Sequence, residues 1–404
     1  MNPLHLSGYG VKLRVKNLES RSELEVTNGR EDDHAAWEMS FRPRRFPYSS
    51  ILVDGHTGYI SLQALHWLSR NKVPVFVMNF DGTIISSILP PMPVKGDLRA
   101  AQIQAANDPE KKFTIAKALV QAKIARSLQV LHWLGQRYDI DREARLIKRE
   151  ALKFGHALSV SQLRTVEDRV ALRYWEAFRR VLHEHLDFQG RMTSSHKNNA
   201  SDPVNLALNY GYGFLEGEVR KAINSVGLEP SVGFLHDFSD YQTKQSLVYD
   251  LQEPFRWLID VSVIEAFEAG ALELGDFYFT GGDYRYRFEV DAKQRFIDLI
   301  CERFNAGVAY KARILKWDTV IEGKTTELSR FLTGKSSTPD FAKPAPELNT
   351  QDNRELRAKI LALTPSQAKR LGIGKSTFHY FRGRGRTSKS LRVYTPTLLK
   401  LSSK

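Results

Sequence analysis

Apolar and polar residues change their period along this chain. Up to about residue 90 the alternation is that of strands. Val11-Lys12-Leu13-Arg14-Val15 and Glu23-Leu24-Glu25-Val26 place apolar side chains at every second position, and Gly or Asn residues punctuate the runs. Ser50-Ile51-Leu52-Val53-Asp54-Gly55 and Val73-Pro74-Val75-Phe76-Val77-Met78 are more continuously apolar and predict more deeply buried strands. Leu62 to Ser69 has the spacing of a short amphipathic helix, and Asp81-Gly82 predicts a hairpin turn ahead of Thr83-Ile84-Ile85. Residues 1–90 are therefore expected to form a small, mostly-β domain, and nothing in them points to catalysis.

The run Pro90-Pro91-Met92-Pro93 predicts a stiff connector. Beyond it the period lengthens. From about Leu98 to Phe331 apolar residues recur at helical spacing, as in Ile115, Leu119, Ala122, Ile124 and Leu128. Strand signals nearly vanish, apart from a short hairpin expected around Phe277 to Phe288. Residues 98–331 thus predict a large all-α domain. Residues 332–352 are rich in Ser, Thr, Pro and Lys, lack an apolar period and read as a linker, with 353–404 as a separate C-terminal module. The fold class is α+β, multidomain.

Composition narrows the function classes. A chain of 404 residues exceeds one ordinary core, so two or three domains are expected. The hydrophobic share of 42% and charged share of 26% belong to folded domains and not to a disordered chain. No apolar run approaches the roughly 18 residues of a membrane span, and Met1-Asn2-Pro3-Leu4-His5 lacks the pattern of a secretory signal. The single cysteine, Cys301, can form neither an intrachain disulfide nor a thiolate metal cluster, so a cytoplasmic location is the expectation. The formal net charge is +13. Its distribution says more than its size: Thr350 to Lys404 carries thirteen Lys and Arg against Asp352 and Glu355, a net of +11, which leaves +2 for the rest.

That basic segment has an internal pattern. Thr364 can cap a short helix beginning at Pro365, and Gly372 breaks it. Gly374 to Ser376 begin a second helix bearing Lys375, Thr377 and His379, and Ala368, Leu371, Ile373 and Phe378 supply a small apolar seam. This predicts a helix-turn-helix whose second helix enters a DNA major groove. Lys369, Arg370, Lys375, Ser376, Thr377 and His379 are its candidate DNA contacts. Arg382, Arg384, Arg386 and Lys389 suit phosphate contacts or minor-groove insertion as a flexible arm.

Four residues upstream are candidates for chemistry. Glu167 lies in a strongly helical stretch, Thr165 to Phe178, whose start Thr165 can cap. His236 leaves the apolar run Gly233-Phe234-Leu235 for a polar loop, and Asp250 and Glu253 are three apart on another predicted helix, on one side of it. Taken singly, each has an ordinary structural explanation. A helix acid is usually a solvated face residue, and acids in a first turn suit the helix dipole.

Their surroundings are more specific. Asn205-Leu206-Ala207-Leu208-Asn209-Tyr210-Gly211-Tyr212-Gly213-Phe214-Leu215, then Glu218-Val219-Arg220, Gly227-Leu228-Glu229-Pro230 and Gly233-Phe234-Leu235-His236 form one constellation, continued by Asp250-Leu251-Gln252-Glu253-Pro254-Phe255-Arg256. Together they closely resemble the CRISPR-associated integrase-endonuclease family, the spacer-acquisition enzymes of CRISPR systems. Glu167, Ala171, Tyr174-Trp175 and Phe178 add a looser match, and the resemblance covers roughly residues 1–331, including the β-then-helical order. It implies a divalent metal, Mn²⁺ or Mg²⁺, acting on DNA phosphodiesters and held by a Glu, a His and a third acid. These fall on Glu167, His236 and Glu253, with Asp250 as the near neighbour that could replace Glu253. The family's Glu is usually followed by Gly, where this chain has Asp168. Two carboxylates and an imidazole suit either metal, and His236 either ligates or shuttles a proton.

A member of this family with an appended helix-turn-helix resembles the casposases, the integrases of self-synthesising mobile elements. That resemblance implies joining of the 3′-hydroxyl ends of element DNA, which bears inverted repeats, to a target duplex by transesterification. The alternative is a CRISPR spacer-acquisition integrase working with a small partner protein. A third reading is a non-catalytic DNA-binding regulator that keeps the fold. The family resemblance further implies a homodimer formed through the β domain, or a tetramer on DNA.

Overall fold

The sheet comes first in the chain and carries two different faces. The computed structural model describes residues 2–18, 21–30, 36–92, 95–186, 188–191, 202–236, 245–280, 285–346, 348 and 362–370. Six strands, β1 (Pro3–Leu18), β2 (Arg21–Thr27), β3 (Glu38–Phe41), β4 (Ser50–Ile60), β5 (Val75–Met78) and β6 (Ile84–Ile88), form one sheet in the order β3-β2-β1-β4-β5-β6. The β1–β4 and β4–β5 pairs are parallel and the others antiparallel. Helix α1 (Leu62–Arg70), capped by the Ser61 side chain, is the crossover that parallel β4 and β5 require.

Alternation along β4 and β5 explains their continuous apolar runs. Ile51, Val53 and Val75 join a small core beneath Trp67 and Leu68 of α1. Leu52, Phe76 and Met78, on the opposite face, belong to the core of the helical region. The β domain and the helical domain therefore share packed surface.

The helical region runs through α2 (Gly96–Asn107), α3 (Pro109–Gly135), α4 (Asp141–Phe154), α5 (Val160–Leu186), α6 (Pro203–Val226), α7 (Ser246–Gln252), α8 (Trp257–Glu268), α9 (Val290–Asn305) and α10 (Trp317–Leu332). It is not all-α. The expected hairpin is present as β7 (Phe277–Thr280) and β8 (Arg285–Phe288), and a second ribbon pairs β9 (Val308–Tyr310) with β10 (Arg313–Leu315). The turn of that second ribbon is Lys311-Ala312, both at positive φ (48° and 60°). A tight hairpin turn normally announces itself by Asn-Gly or Asp-Gly, and this one does not, which hides it in the sequence. Helix α5 also starts five residues before Thr165. Ser159 accepts from the Gln162 amide at 3.3 Å, and the Thr165 hydroxyl donates back to the Ser161 carbonyl at 3.1 Å.

Helix α6 explains most of the block Asn205 to Leu215. Asp202 caps it by accepting from the Asn205 amide at 2.7 Å, Pro203 opens its first turn, and Gly227 at φ 90° ends it. Neighbours pack on it from almost every side, and two glycines permit that. A Cβ on Gly213 would lie 1.8 Å from the Gly82 carbonyl oxygen in the β5–β6 turn, and one on Gly211 would strike Ile259 of α8 at 2.4 Å. Tyr210 donates its hydroxyl to Asp54 of β4 at 3.1 Å, and Asp54 pairs with Lys293 of α9 at 2.9 Å and His5 of β1 at 3.2 Å. Burial opposes the Asp54 charge, but Lys293 and then His5 outweigh it and hold the carboxyl well below its usual range. One buried polar cluster thus clamps the sheet to two helices.

Residues 336–346, after α10, form no helix or strand and are docked. Phe341 is 2% exposed, Lys324 donates to the Asp340 carbonyl at 2.6 Å, and Arg126 of α3 donates to the Ala342 and Pro344 carbonyls. Farther on, Thr364 and Gln367 form the reciprocal cap of a short helix, Pro365–Arg370. Lys369 and Arg370 are exposed on it. Lys375, Ser376, Thr377, His379, Arg382, Arg384, Arg386 and Lys389 lie outside the described residues, and the expected second helix with them. Among the described residues no helix is long and apolar enough to cross a membrane.

Two glycine substitutions are expected to have opposite effects. Gly213→Ala overpacks the sheet–helix contact and is expected to cost about 1–3 kcal/mol. Gly323→Ala, in α10 with nothing within 4 Å of the added carbon, is expected to stabilise by about 0.5–1 kcal/mol. Urea midpoints of the two variants check this, and a neutral Gly213→Ala would contradict the close approach.

Candidate active site

Three helices bring carboxylates and a lysine to one point. Helix α5 presents Glu167 and α3 presents Lys123. Pro254 cannot continue the hydrogen-bonding of α7, and the chain tightens into a 3-10 turn, Glu253–Phe255, which directs Glu253 towards α3. The Lys123 ammonium pairs with Glu167 and lies 2.6 Å from Glu253 Oε2. Arg256 donates to Glu253 Oε1 at 2.9 Å. Glu253 Oε2 is buried, with that ammonium as its close cationic neighbour. Burial would push the Glu253 carboxyl up, yet Lys123 first and then Arg256 bring it down to about 2. Lys123 mirrors this: burial opposes its charge, but Glu253 and Glu167 raise it above its ordinary value.

His236 and Asp250 form a second unit. Asp250 is fully buried and accepts from the Phe234, Leu235 and His236 amides at 2.5, 3.0 and 3.0 Å, and its Oδ1 lies 2.7 Å from His236 Nδ1. Four donors satisfy the lone pairs of its two oxygens. The loop can wrap the carboxylate because residue 233 is glycine: a Cβ there would lie 2.9 Å from Asp250 Oδ2 and 2.7 Å from Ser246 Cβ. With Nδ1–H donating to Asp250, Nε2 is the nitrogen left to act, and it has no partner among the described residues. Arg164, one turn before Glu167 on α5, donates through Nε to the Leu235 carbonyl at 2.6 Å and ties this loop to the helix bearing Glu167. Burial lowers the His236 pKa, but the hydrogen bond and charge of Asp250 outweigh it, so the ring titrates above its ordinary value.

Asp250 and Glu253, expected on one helix face, therefore have different partners. Asp250 serves the His236 loop and Glu253 serves the carboxylate pair. Among the described residues no three His, Cys, Asp or Glu side chains gather closely enough to hold a metal ion as they stand. The donor chemistry nonetheless fits one. Glu167 and Glu253 converge on a single cationic nitrogen, and two carboxylates with an imidazole on the adjoining loop are donor types that Mg²⁺ or Mn²⁺ accepts.

A cavity of about 180 Å³ opens beside Glu253, with Lys123, Arg126, Arg191 and Arg256 in its wall against the acids Glu253 and Asp260. Arg191 is held by the side-chain oxygens of Asn205 at 3.0 Å and Asn209 at 2.8 Å. The Arg256 guanidinium lies 4.4 Å over the Tyr212 ring. Tyr212 and Tyr174 donate their hydroxyls to Asp260 at 2.5 and 2.8 Å, and burial pushes the Asp260 carboxyl up to about 6. Such a cation-rich, aromatic-walled recess suits an anionic phosphodiester.

Lys123, Arg164, Arg191 and Asp260 escaped the sequence reading. Two of them leave a trace there. Lys123 falls in the buried stripe Ala116, Val120, Ser127, Leu131 of α3, and Asp260 is an acid in a helix buried at every position. A charge in an apolar stripe demands a buried partner.

The family described as CRISPR associated protein Cas1 matches residues 43–302. A CRISPR-associated endonuclease Cas1 of Thermus thermophilus is 30% identical over 84% of this chain and 98% of its own length. One from Archaeoglobus fulgidus is 27% identical over 72% and 88%. Among solved structures, a casposase bound to integration product superposes with a TM-score of 0.79 at 32% identity, covering 90% of this chain and 99% of that one. A Cas1 protein from Thermotoga maritima, at 17% identity and a TM-score of 0.67, shares the fold.

The His236–Asp250 unit carries a prediction. In the wild type, NMR titration should find the ring pKa above 6.5. Asp250→Asn removes the charge that favours imidazolium and should lower that value. Because the folded pKa is raised, the pairing stabilises the fold fully below pH 6.5 and is lost as pH rises through the folded value. An unshifted ring in Asp250→Asn would contradict the pairing.

Proposed function

We propose, from the premise that this chain belongs to the Cas1 family of CRISPR-associated proteins, that it is a DNA integrase and endonuclease of the casposase kind. It would join the 3′-hydroxyl ends of an element to a target duplex by transesterification. The observation that carries the chemistry is the convergence of Glu167 and Glu253 on one cation beside an arginine-walled cavity. The likeness to a casposase bound to integration product, which extends over 90% of this chain, favours integration as its setting.

In this reading Glu167, Glu253 and His236 hold the divalent metal. When bound, that ion supplies positive charge to the phosphoryl oxygens and the leaving 3′-oxygen. Arg256 and Arg191 contact the phosphodiester and orient it for in-line attack. His236 presents Nε2 as ligand or proton carrier, and Asp250 is its positioning residue. Lys369 and Arg370, with Lys375, Ser376, Thr377, His379, Arg382, Arg384, Arg386 and Lys389, grip the inverted-repeat ends or the target. Two copies acting on opposite strands make a homodimer, or a tetramer on DNA, the working unit.

A second reading has its own support: the curated relatives are CRISPR-associated endonucleases, and this chain spans 98% of the one from Thermus thermophilus. Spacer acquisition would then require a small partner protein.

Strand-joining assays test the site. Glu167→Gln, His236→Ala and Glu253→Gln are each expected to lower joining in Mn²⁺ by at least about a hundredfold. Undiminished joining in all three would remove the enzymatic reading. Gel shifts test the module: the full chain should prefer inverted-repeat ends to scrambled DNA, and removal of residues 353–404 should abolish the preference. Joining that depends on an added small partner and a repeat–spacer array would instead favour spacer acquisition.

A further inference from the structure

We propose that Lys123 is the resident counter-cation of the Glu167–Glu253 pair, and that a metal ion loads by displacing its ammonium. The proposal rests on the metal reading above and adds a residue to it. The side chains of Lys123, Glu167 and Glu253 are only 18%, 15% and 4% exposed. Two carboxylates so placed repel one another unless a cation lies between them. Arg256 neutralises Glu253 from its other oxygen, while Lys123 reaches both acids. It is therefore the group that keeps them aimed at a common point.

The charge count makes this a competition. Glu167 and Glu253 against Lys123 and Arg256 sum to zero. A divalent ion added to that nearly dry cluster with the ammonium still present would leave it doubly positive, at a high Coulomb cost. Ion and ammonium also need the same carboxylate oxygens. Lysine suits a displaceable role better than arginine does: it is a compact charge on a flexible stem, whereas a guanidinium fork locks to its carboxylates. The ammonium has somewhere to go, because Lys123 itself lines the neighbouring cavity of about 180 Å³. There it would meet a phosphodiester oxygen, so metal loading and DNA occupancy favour each other through one side chain.

Calorimetric titration of Mn²⁺ into the full chain, without DNA, tests this. The variants are Lys123→Gln, Lys123→Met, Lys123→Arg and Glu253→Gln. If the ammonium closes the site most of the time, its removal should tighten Mn²⁺ binding by roughly tenfold or more. Lys123→Arg should bind no more tightly than the wild type. Thermal melts supply a second readout. Lys123→Gln, which keeps N–H donors for the carboxylates, should melt below the wild type without metal and gain more than the wild type when Mn²⁺ is added. A Lys123 variant that folds only in Mn²⁺ gives the same result in extreme form. Wild-type binding that is lost in Glu253→Gln, but not tightened in Lys123→Gln or Lys123→Met, would overturn the role of Lys123 alone. Equal Mn²⁺ binding by the wild type and Glu253→Gln would instead remove the metal reading.

Discussion

Two carboxylates on different elements, withdrawn from water, can face each other only across a cation. That constraint organises the centre of this protein. Glu167 comes from α5, Glu253 from the turn after α7, and the lysine between them from α3. Each is held by something else. Arg164 fastens the His236 loop to α5, Pro254 sets the turn that aims Glu253, and Asp260 joins α5 to α6 through two tyrosines. If the charge at the centre were uncompensated, these attachments would hold a repelling pair in place.

The two carboxylates of the Asp250–Glu253 segment show how environment divides labour. Three backbone amides and an imidazole saturate Asp250, and its fixed charge sets the orientation of His236. Among the described residues Glu253 pairs with the side-chain cations Lys123 and Arg256, which can move. A carboxylate bound by backbone amides is structural scaffold for its neighbours, and one bound by mobile cations can exchange partners.

Much of the fold was legible. The change from period two to helical spacing separates the sheet from the helices, and the Phe277 to Phe288 hairpin is present. The β9–β10 ribbon was not, because Lys311-Ala312 takes a turn geometry that its residue types do not advertise. The candidate site was legible mainly through resemblance, and α6 shows why. Its motif residues act by packing and by holding other groups: Gly211 and Gly213 admit neighbours, Tyr210 reaches Asp54, Asn205 and Asn209 hold Arg191. Local pattern cannot reveal such long-range partners. Lys123 was missed for a related reason: its place in the apolar stripe of α3 signals burial but not which acids it meets.

Glu167 and Glu253 converge on the Lys123 ammonium, which in the proposed reading would give way to a divalent metal. Crystals grown with Mn²⁺, measured at its absorption edge, test it directly. An anomalous peak is expected between the Glu167 and Glu253 carboxylates, with His236 turned towards it and the Lys123 side chain moved into the neighbouring cavity. A peak elsewhere, or none, with the Lys123 ammonium still between the two carboxylates, would contradict it.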